Sequence, residues 1–519
     1  MKKKLLALGL TFAMVFSMAA CGGDDGGNAS AKTSLVVYDG EWYGLDTYQL
    51  SSTAGAQSLN SSSLFQWDPE TNTVEDNVCT NWQVSDDGKT ATFDVPEGMY
   101  YSTGEQVEPE DVVASLEHGL EVSPYSDGYD NIKSMDIDGR TVTLHLSEFR
   151  SNMLYYLCAG FIIVIDKDEL DTMDNDELMW NCHPYGMYSL AEGGYISGSE
   201  IQLVRNDKYT CANPLAENKG AGKFETISVR FNVEEFTETE ELKNGTADII
   251  TGVSGEQKQE MEGIDNITLV DASYPTVTFF ELNTSKGIFE DINVRKAMIL
   301  SIDRDELVEV TDGMIAPAYS LIIESMQNYN ADASAYFEKN LANNPEEAKK
   351  LLEDAGWKDT DGDGIREKDG KKLSFTWYTW SSASRRAEKM SAQLKEVGFD
   401  MQIETLEWNY MYEKIESDDY DAGIRELGWA EPILIFNACD DAPNAPGKTD
   451  AYFKKVAEMA AETDTDKRTE KVGELQMHIF ENIDLVPLCA ELSFEAYNSS
   501  LKNYTVLKDG THVWNDLTY

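Results

Sequence analysis

Hydrophobic residues along this 519-residue chain keep two different periods, and the two are interleaved from end to end. In Thr141–Leu146, TVTLHL, the residues Val142, Leu144 and Leu146 alternate with Thr and His. Likewise Ile227, Val229, Phe231 and Val233 alternate with Ser228, Arg230 and Asn232. A period of two marks a half-buried strand. The stretch NPEEAKKLLEDAGW keeps the other period: Ala348, Leu351, Leu352 and Ala355 form one helical stripe. Asn344 is its N-cap, Pro345 its first helical residue, Glu346 and Glu347 fill the first turn, and Gly356 stops it. A second helix is predicted from about 384 to 397, with Ala387, Met390, Leu394 and Val397 inward and Gly398 closing it. A third starts at Pro109, with Val112, Val113, Leu116 and Leu120 as its inner face. This interleaving restricts the chain to α/β architectures with added antiparallel hairpins. The length exceeds one ordinary core and predicts two or three domains. The 25 Tyr, 19 Phe and 10 Trp are enough to fill them.

NWQVSDDGKTATFDVPEG, residues 81–98, carries the strongest hairpin signal, two alternating runs joined through Asp-Gly. Its adjacent carboxylates, Asp86 and Asp87, beside Lys89 also raise the possibility of an acid/base site. The first twenty residues are a targeting segment: Lys2–Lys4 form the positive end, Leu5–Phe16 the apolar stretch, and Met18-Ala19-Ala20 the approach to cleavage. Cleavage before Cys21 resembles processing at a lipobox, with Met18 where Leu is usual, and implies lipidation of Cys21. Residues 21–33 then form a tether, and two acyl chains suffice to hold a protein on the membrane. A formal charge of -52 argues against nucleic acid and anionic lipid head groups as partners. The other six cysteines, Cys79, Cys158, Cys182, Cys211, Cys439 and Cys489, are scattered and contain no C-x-x-C pair, so disulfides and buried thiols both remain open.

Catalytic motifs are scarce. Gly88-Lys89-Thr90 and Gly447-Lys448-Thr449 lack the earlier glycine of a phosphate-binding loop, carrying Gln83 and Ala442 there. There is no G-x-S-x-G and no H-E-x-x-H, and only five His. Among 94 acidic residues no carboxylate pair stands out as glycosidase-like. DTDGDGIREKDG places Asp359, Asp361 and Asp363 at the spacing of the first half of an EF-hand. The twelfth position, however, is Gly370 instead of Glu. A Ca²⁺ site and a plain acidic turn are both compatible with it.

Several ordered blocks resemble the peptide- and nickel-type (family 5) extracellular solute-binding proteins that feed ABC importers. They are the hairpin running into GMYYSTGEQVEPEDVVASLE, then HPYGMYSL and IQLVRNDKY, FFELNTSKGIFEDINVRKAMILSIDRDEL, NPEEAKKLLEDAGW, YDAGIRELGW and LVPL. The resemblance covers essentially all of the chain after the leader, although Met187 stands where the family usually has Pro. It implies a two-lobed periplasmic-binding-protein-like clamp of type II with an additional inserted domain. Lobe I would be 34–65, 185–278 and 493–519, the insertion 66–184, and lobe II 279–492.

By the same resemblance, ligand contacts are expected at Glu41, Trp42 and Tyr43, at Tyr274, at Trp380, and at Arg425, Gly428 and Trp429. Peptide binders of the family carry an Asp shortly after Gly-Trp that takes the peptide's α-amino group. Here Trp429-Ala430-Glu431-Pro432 has none, so either Glu431 substitutes or the ligand lacks a free amine. The implied function is non-enzymatic: a monomeric, lipid-anchored receptor that binds oligopeptides or dipeptides and passes them to permease subunits with their ATPases. An oligosaccharide or a nickel chelate in the same fold is the alternative ligand. A secreted acidic glycosidase and a purely structural surface lipoprotein are the alternatives of other classes. No cofactor is implied beyond the possible Ca²⁺.

Overall fold

The computed structural model describes residues 32–437 and 448–519. Cys21, the leader and Cys439 lie outside them. A seven-stranded sheet is centred on Ser34–Tyr38, SLVVY, which lies parallel to Thr226–Arg230 on one side and Ile249–Val253 on the other. Tyr188–Ile196 and Glu200–Arg205 extend it at one edge, Phe494–Asn498 and Ile267–Asp271 at the other. The second large sheet has six strands around Thr276–Leu282, TVTFFEL, every residue of which is buried after the first. An apolar run of that kind suits a strand covered on both faces. Helices Ile292–Leu300, Pro345–Asp354, Ser384–Val397 and Thr465–Asn482 supply much of the core around it.

The chain passes between these sheets twice, at residues 272–275 and 492–493. The two crossings lie side by side. Ala272 N donates to Ser493 O at 2.9 Å, and Ser493 N donates to Ser273 Oγ at 3.3 Å. A four-stranded antiparallel sheet, built from Thr80–Val84, Thr90–Asp94, Ile132–Asp138 and Thr141–Leu146, is flanked by helix Pro109–Val122. Its apolar face runs into the same core as the seven-stranded sheet: Phe93, Val142 and Leu116 join Leu35, Val37 and Ile227.

Local chemistry accounts for the element ends. Asn344 Oδ1 caps Glu347 N at 3.1 Å, and Gly356 and Gly398 adopt the left-handed backbone their positions require. In the Asp86–Lys89 turn, Gly88 has φ +63° and the Asp87 carboxylate accepts from Ser85 Oγ and Lys89 N. Those hydrogen bonds hold the Asp87 carboxyl below its ordinary range. The adjacent carboxylates Asp86 and Asp87 therefore belong to a turn, and Gly88-Lys89-Thr90 is part of a hairpin.

The backbone at residues 60–62 abuts the start of the strand at Tyr188, with Ser62 N donating to Tyr185 O at 2.8 Å. A Cβ on Gly186 would stand 2.0 Å from Asn60 O, a backbone atom that cannot step aside. Gly186→Ala is expected to cost about 1–3 kcal/mol, the range for overpacking. Urea unfolding measures it, and an unchanged midpoint would show that the two segments do not bear on each other.

Candidate ligand-binding cavity

Beside the crossings lies a cavity of about 680 Å³, within the range of about 300–1,000 Å³ usual for small-ligand sites. Segments of the seven-stranded sheet's body, the end of helix Ser151–Cys158 and the C-terminal residues 509–515 form most of its wall. Gln327 and Ala430 reach it from the body of the six-stranded sheet. Tyr274, on the first crossing, lines it with 46% of its surface accessible, and its hydroxyl is 3.1 Å from that of Tyr155.

The carboxylates on the wall differ in how fully the protein already engages them. Asp39 accepts from Thr251 Oγ1 at 2.6 Å, Ala56 N at 2.9 Å and Trp42 Nε1 at 3.1 Å. Glu495 takes the Tyr504 hydroxyl and lies 3.0 Å from His512 Nε2 through each oxygen. The His512 ring is stacked on Trp514 at 4.6 Å and 5°. Asp509 is less satisfied: it caps Thr511 N at 3.1 Å, while burial pushes its carboxyl up, opposed in part by that hydrogen bond and by His512. It sits at the tip of the hairpin joining Thr505–Val506 to His512–Val513, where Gly510 has φ +78°. A Cβ at Gly510 would approach the Tyr274 backbone to 3.4 Å, so the glycine lets the tip lie against the crossing.

Of the nine residues expected from sequence to contact ligand, Tyr274 is the one on this wall. Trp42 is buried beneath Asp39 and orients it. Glu41 bonds Asn232 Nδ2 at 3.2 Å, and Tyr43 projects outward with 61% exposure. Trp380 packs on Trp408, ring centres 4.5 Å apart, in the core of the six-stranded sheet. Arg425 faces Glu281 at 3.0 Å, with both side chains at most 3% exposed, and lies over Tyr412. Glu281 also carries the Tyr420 hydroxyl at 3.1 Å, so Arg425 sits in a buried network and not on this wall.

Gly428 passes close to Thr276, and Trp429 packs edge-on against Tyr125 at 5.4 Å and Tyr155 at 6.1 Å. Glu431 has no exposed surface. Its Oε1 accepts from Ser151 Oγ at 2.7 Å and its Oε2 from Ile433 N at 2.8 Å. Burial raises its pKa, while Ser151 and Arg468 oppose the shift. Glu431 thus ties the body of the six-stranded sheet to the Ser151–Cys158 helix and does not face the cavity.

Carboxylate oxygens of Asp359, Asp361 and Asp363 lie within 4.8 Å of one another on the surface. They are engaged by the turn itself: Asp359 accepts from Gly362 N and Gly364 N, and Asp363 pairs with Lys372. Asp361 accepts from Asp363 N and Asp363 from Ile365 N, so four backbone donors and the Lys372 ammonium already engage the three carboxylates. The five described cysteines of the six, Cys79, Cys158, Cys182, Cys211 and Cys489, are free thiols, and burial pushes Cys489 up to about 12.

Two expectations follow. Because burial holds the folded pKa of Asp509 above its unfolded value, near 3.9, its ionised form is disfavoured in the native state. That cost is absent below the unfolded value and grows as pH rises through the folded one. Asp509→Asn, which retains a cap for Thr511 N, should raise Tm at neutral pH and lose that gain near pH 3; a lower Tm at neutral pH would contradict the burial argument. Arg425→Met should cost about 3–5 kcal/mol by stranding Glu281. Ligand affinity of the folded fraction should stay unchanged, which titration calorimetry checks.

The profile described as bacterial extracellular solute-binding proteins, family 5 Middle, matches residues 73–432. The oligopeptide-binding protein AppA of Bacillus subtilis is 25% identical over 452 residues, covering 83% of this chain and 81% of AppA. Its solved structure, in complex with a nonapeptide, superposes with a TM-score of 0.66 at 20% identity, over 94% of this chain and 99% of that one. The dipeptide-binding protein of Escherichia coli is 22% identical over 566 residues, covering all of this chain and 98% of its own. NikA from Brucella suis, solved with Fe(III)-EDTA, gives a TM-score of 0.77 at 20% identity, over 93% and 99% of the two chains. The architecture is that of the type II periplasmic clamp, and the chain belongs to the family 5 bacterial extracellular solute-binding proteins, which bind and do not catalyse.

Proposed function

We propose that this family 5 solute-binding protein of an ABC importer captures a short peptide in the cavity beside the crossings and hands it to the permease. The observation that carries the reading is the cavity's make-up. It combines tyrosine and tryptophan rings with neutral polar groups and carboxylates, and its described lining residues include no Lys or Arg. Such a wall suits the amide groups and amino terminus of a peptide. The names of AppA and of the E. coli dipeptide-binding protein support the same ligand class. An anionic chelate such as the Fe(III)-EDTA held by NikA would find no Lys or Arg among the described lining residues. A volume of about 680 Å³ fits a few residues better than a nonapeptide.

Closure over the ligand is a population shift stabilised by contacts made only when closed. Ser151–Glu431 and the Trp429 packing on Tyr125 and Tyr155 supply such contacts. The lobes in this reading are 34–65 with 185–278 and 493–519, and 279–492, with 66–184 inserted in the first. Tyr274, Asp509 and Gln327 are the proposed ligand contacts. An extracytoplasmic location agrees with the family, and no described helix is long and apolar enough to cross a membrane. A lipid on Cys21 would tether the single chain to the outer face of the membrane, close to the permease.

A thermal-shift panel of di- to pentapeptides, cello- and xylo-oligosaccharides and Ni²⁺ tests the ligand class. Ligand at a hundred times Kd adds about 2.7 kcal/mol, on the order of 2–3 °C for a chain of this length. Shifts with peptides and none with sugars or Ni²⁺ are expected. Shifts with sugars alone would replace the peptide reading by an oligosaccharide receptor.

A further inference from the structure

We propose that the cavity selects short peptides by charge, taking those with a free amino terminus and a basic side chain and rejecting acidic ones. This rests on the peptide reading above and extends it to specificity.

Five carboxylates line the cavity: Asp39, Glu235, Glu238, Glu495 and Asp509. The structure already uses two of them fully, Asp39 for Trp42, Ala56 and Thr251, and Glu495 for Tyr504 and His512. The remaining three keep spare acceptor capacity. Glu235 accepts from Ser254 Oγ and Glu238 from Gln257 Nε2 at 3.1 Å, each through one oxygen, and Asp509 serves Thr511 alone. None of the three forms an ion pair with a described Lys, Arg or His. They form two patches: Asp509 on the C-terminal hairpin against Tyr274, and Glu235 with Glu238 in the first turns of helix Glu235–Asn244.

A second observation points the same way. Gln327 lines the cavity from the other sheet's body with only 2% of its surface exposed, and its Oε1 has no hydrogen-bond partner. An enclosed orphan acceptor calls for a donor brought by the ligand. Unspent acceptors on both sides, with no Lys or Arg among the described lining residues and His512 held by Glu495, favour a ligand rich in N–H and positive charge. A ligand carboxylate would meet like charge at both patches.

The test is titration calorimetry on the purified chain with Ala-Lys-Ala, Ala-Ala-Ala, Ala-Glu-Ala and N-acetylated Ala-Lys-Ala, and with spermidine as a non-peptide cation. Ala-Lys-Ala should bind at least tenfold tighter than Ala-Ala-Ala, Ala-Glu-Ala weakest of the three, and acetylation should weaken Ala-Lys-Ala at least tenfold. Glu235→Gln and Glu238→Gln together, which leave Asp509 for the amino terminus, should bring the Lys-to-Glu ratio towards one while Ala-Ala-Ala still binds, which shows that the variant is folded. Equal binding of the acidic and basic peptides, or an unchanged ratio in the variant, would overturn the charge selection and leave the peptide reading standing. Binding of spermidine without any peptide would overturn the peptide reading and keep the preference for cations. Absence of binding by every probe would overturn both.

Discussion

Everything at the site depends on two chain crossings being held together. Where 272–275 and 492–493 run side by side, a backbone hydrogen bond and one to the Ser273 hydroxyl join the two segments that link the large sheets. Tyr274 is carried on the first crossing and Ser493 and Glu495 on or just after the second, so the cavity wall is built into the junction. Gly510, turned left-handed, lets the Asp509 hairpin lie against the same spot. A residue placed there meets whatever sits between the sheets.

The second organising constraint is the economy of buried carboxylates. Enclosing one costs free energy unless donors or a cation compensate it. Glu281 is compensated by Arg425 and Tyr420, Glu431 by Ser151 and the Ile433 amide, and Glu495 by His512 and Tyr504. Asp509 has no described donor beyond its own hairpin, the Thr511 residue and its own backbone, and burial raises its pKa. A buried group left short of partners, in a cavity, is the pattern of a site that awaits its ligand. Stability and binding are then opposed at Asp509, because what destabilises the empty protein is what a ligand's amino group would satisfy.

Much of the fold was legible because its signals are local. The Asn344 cap, the glycine stops at 356 and 398, and the hairpin at Gly88 follow from one turn of chain each, and the structure has them all. The site was far less legible. Trp42, Trp380 and Arg425 were expected at the site from the family resemblance, yet each is buried and engaged by other side chains. Glu431 stands where an amine-binding acid was sought, but the burial that diverts it to Ser151 arises from a helix some 280 residues earlier. Asp509 did have a signal, a second Asp-Gly turn between short strand runs in VLKDGTHVW, of the same kind as the one read at Asp87-Gly88. Nothing local said that this turn would face a cavity while the first faced water. Gln327 had no signal at all, since an unpartnered amide is a property of its surroundings.

A crystal structure of the chain grown with Ala-Lys-Ala tests the central claim most directly, that ligand is taken between the sheets against spare carboxylates. The expected result is peptide density in the cavity beside Tyr274, its amino group within hydrogen-bonding distance of Asp509 and a ligand N–H on Gln327 Oε1. Peptide bound elsewhere, or bound here with its carboxylate turned to Asp509, would contradict the account.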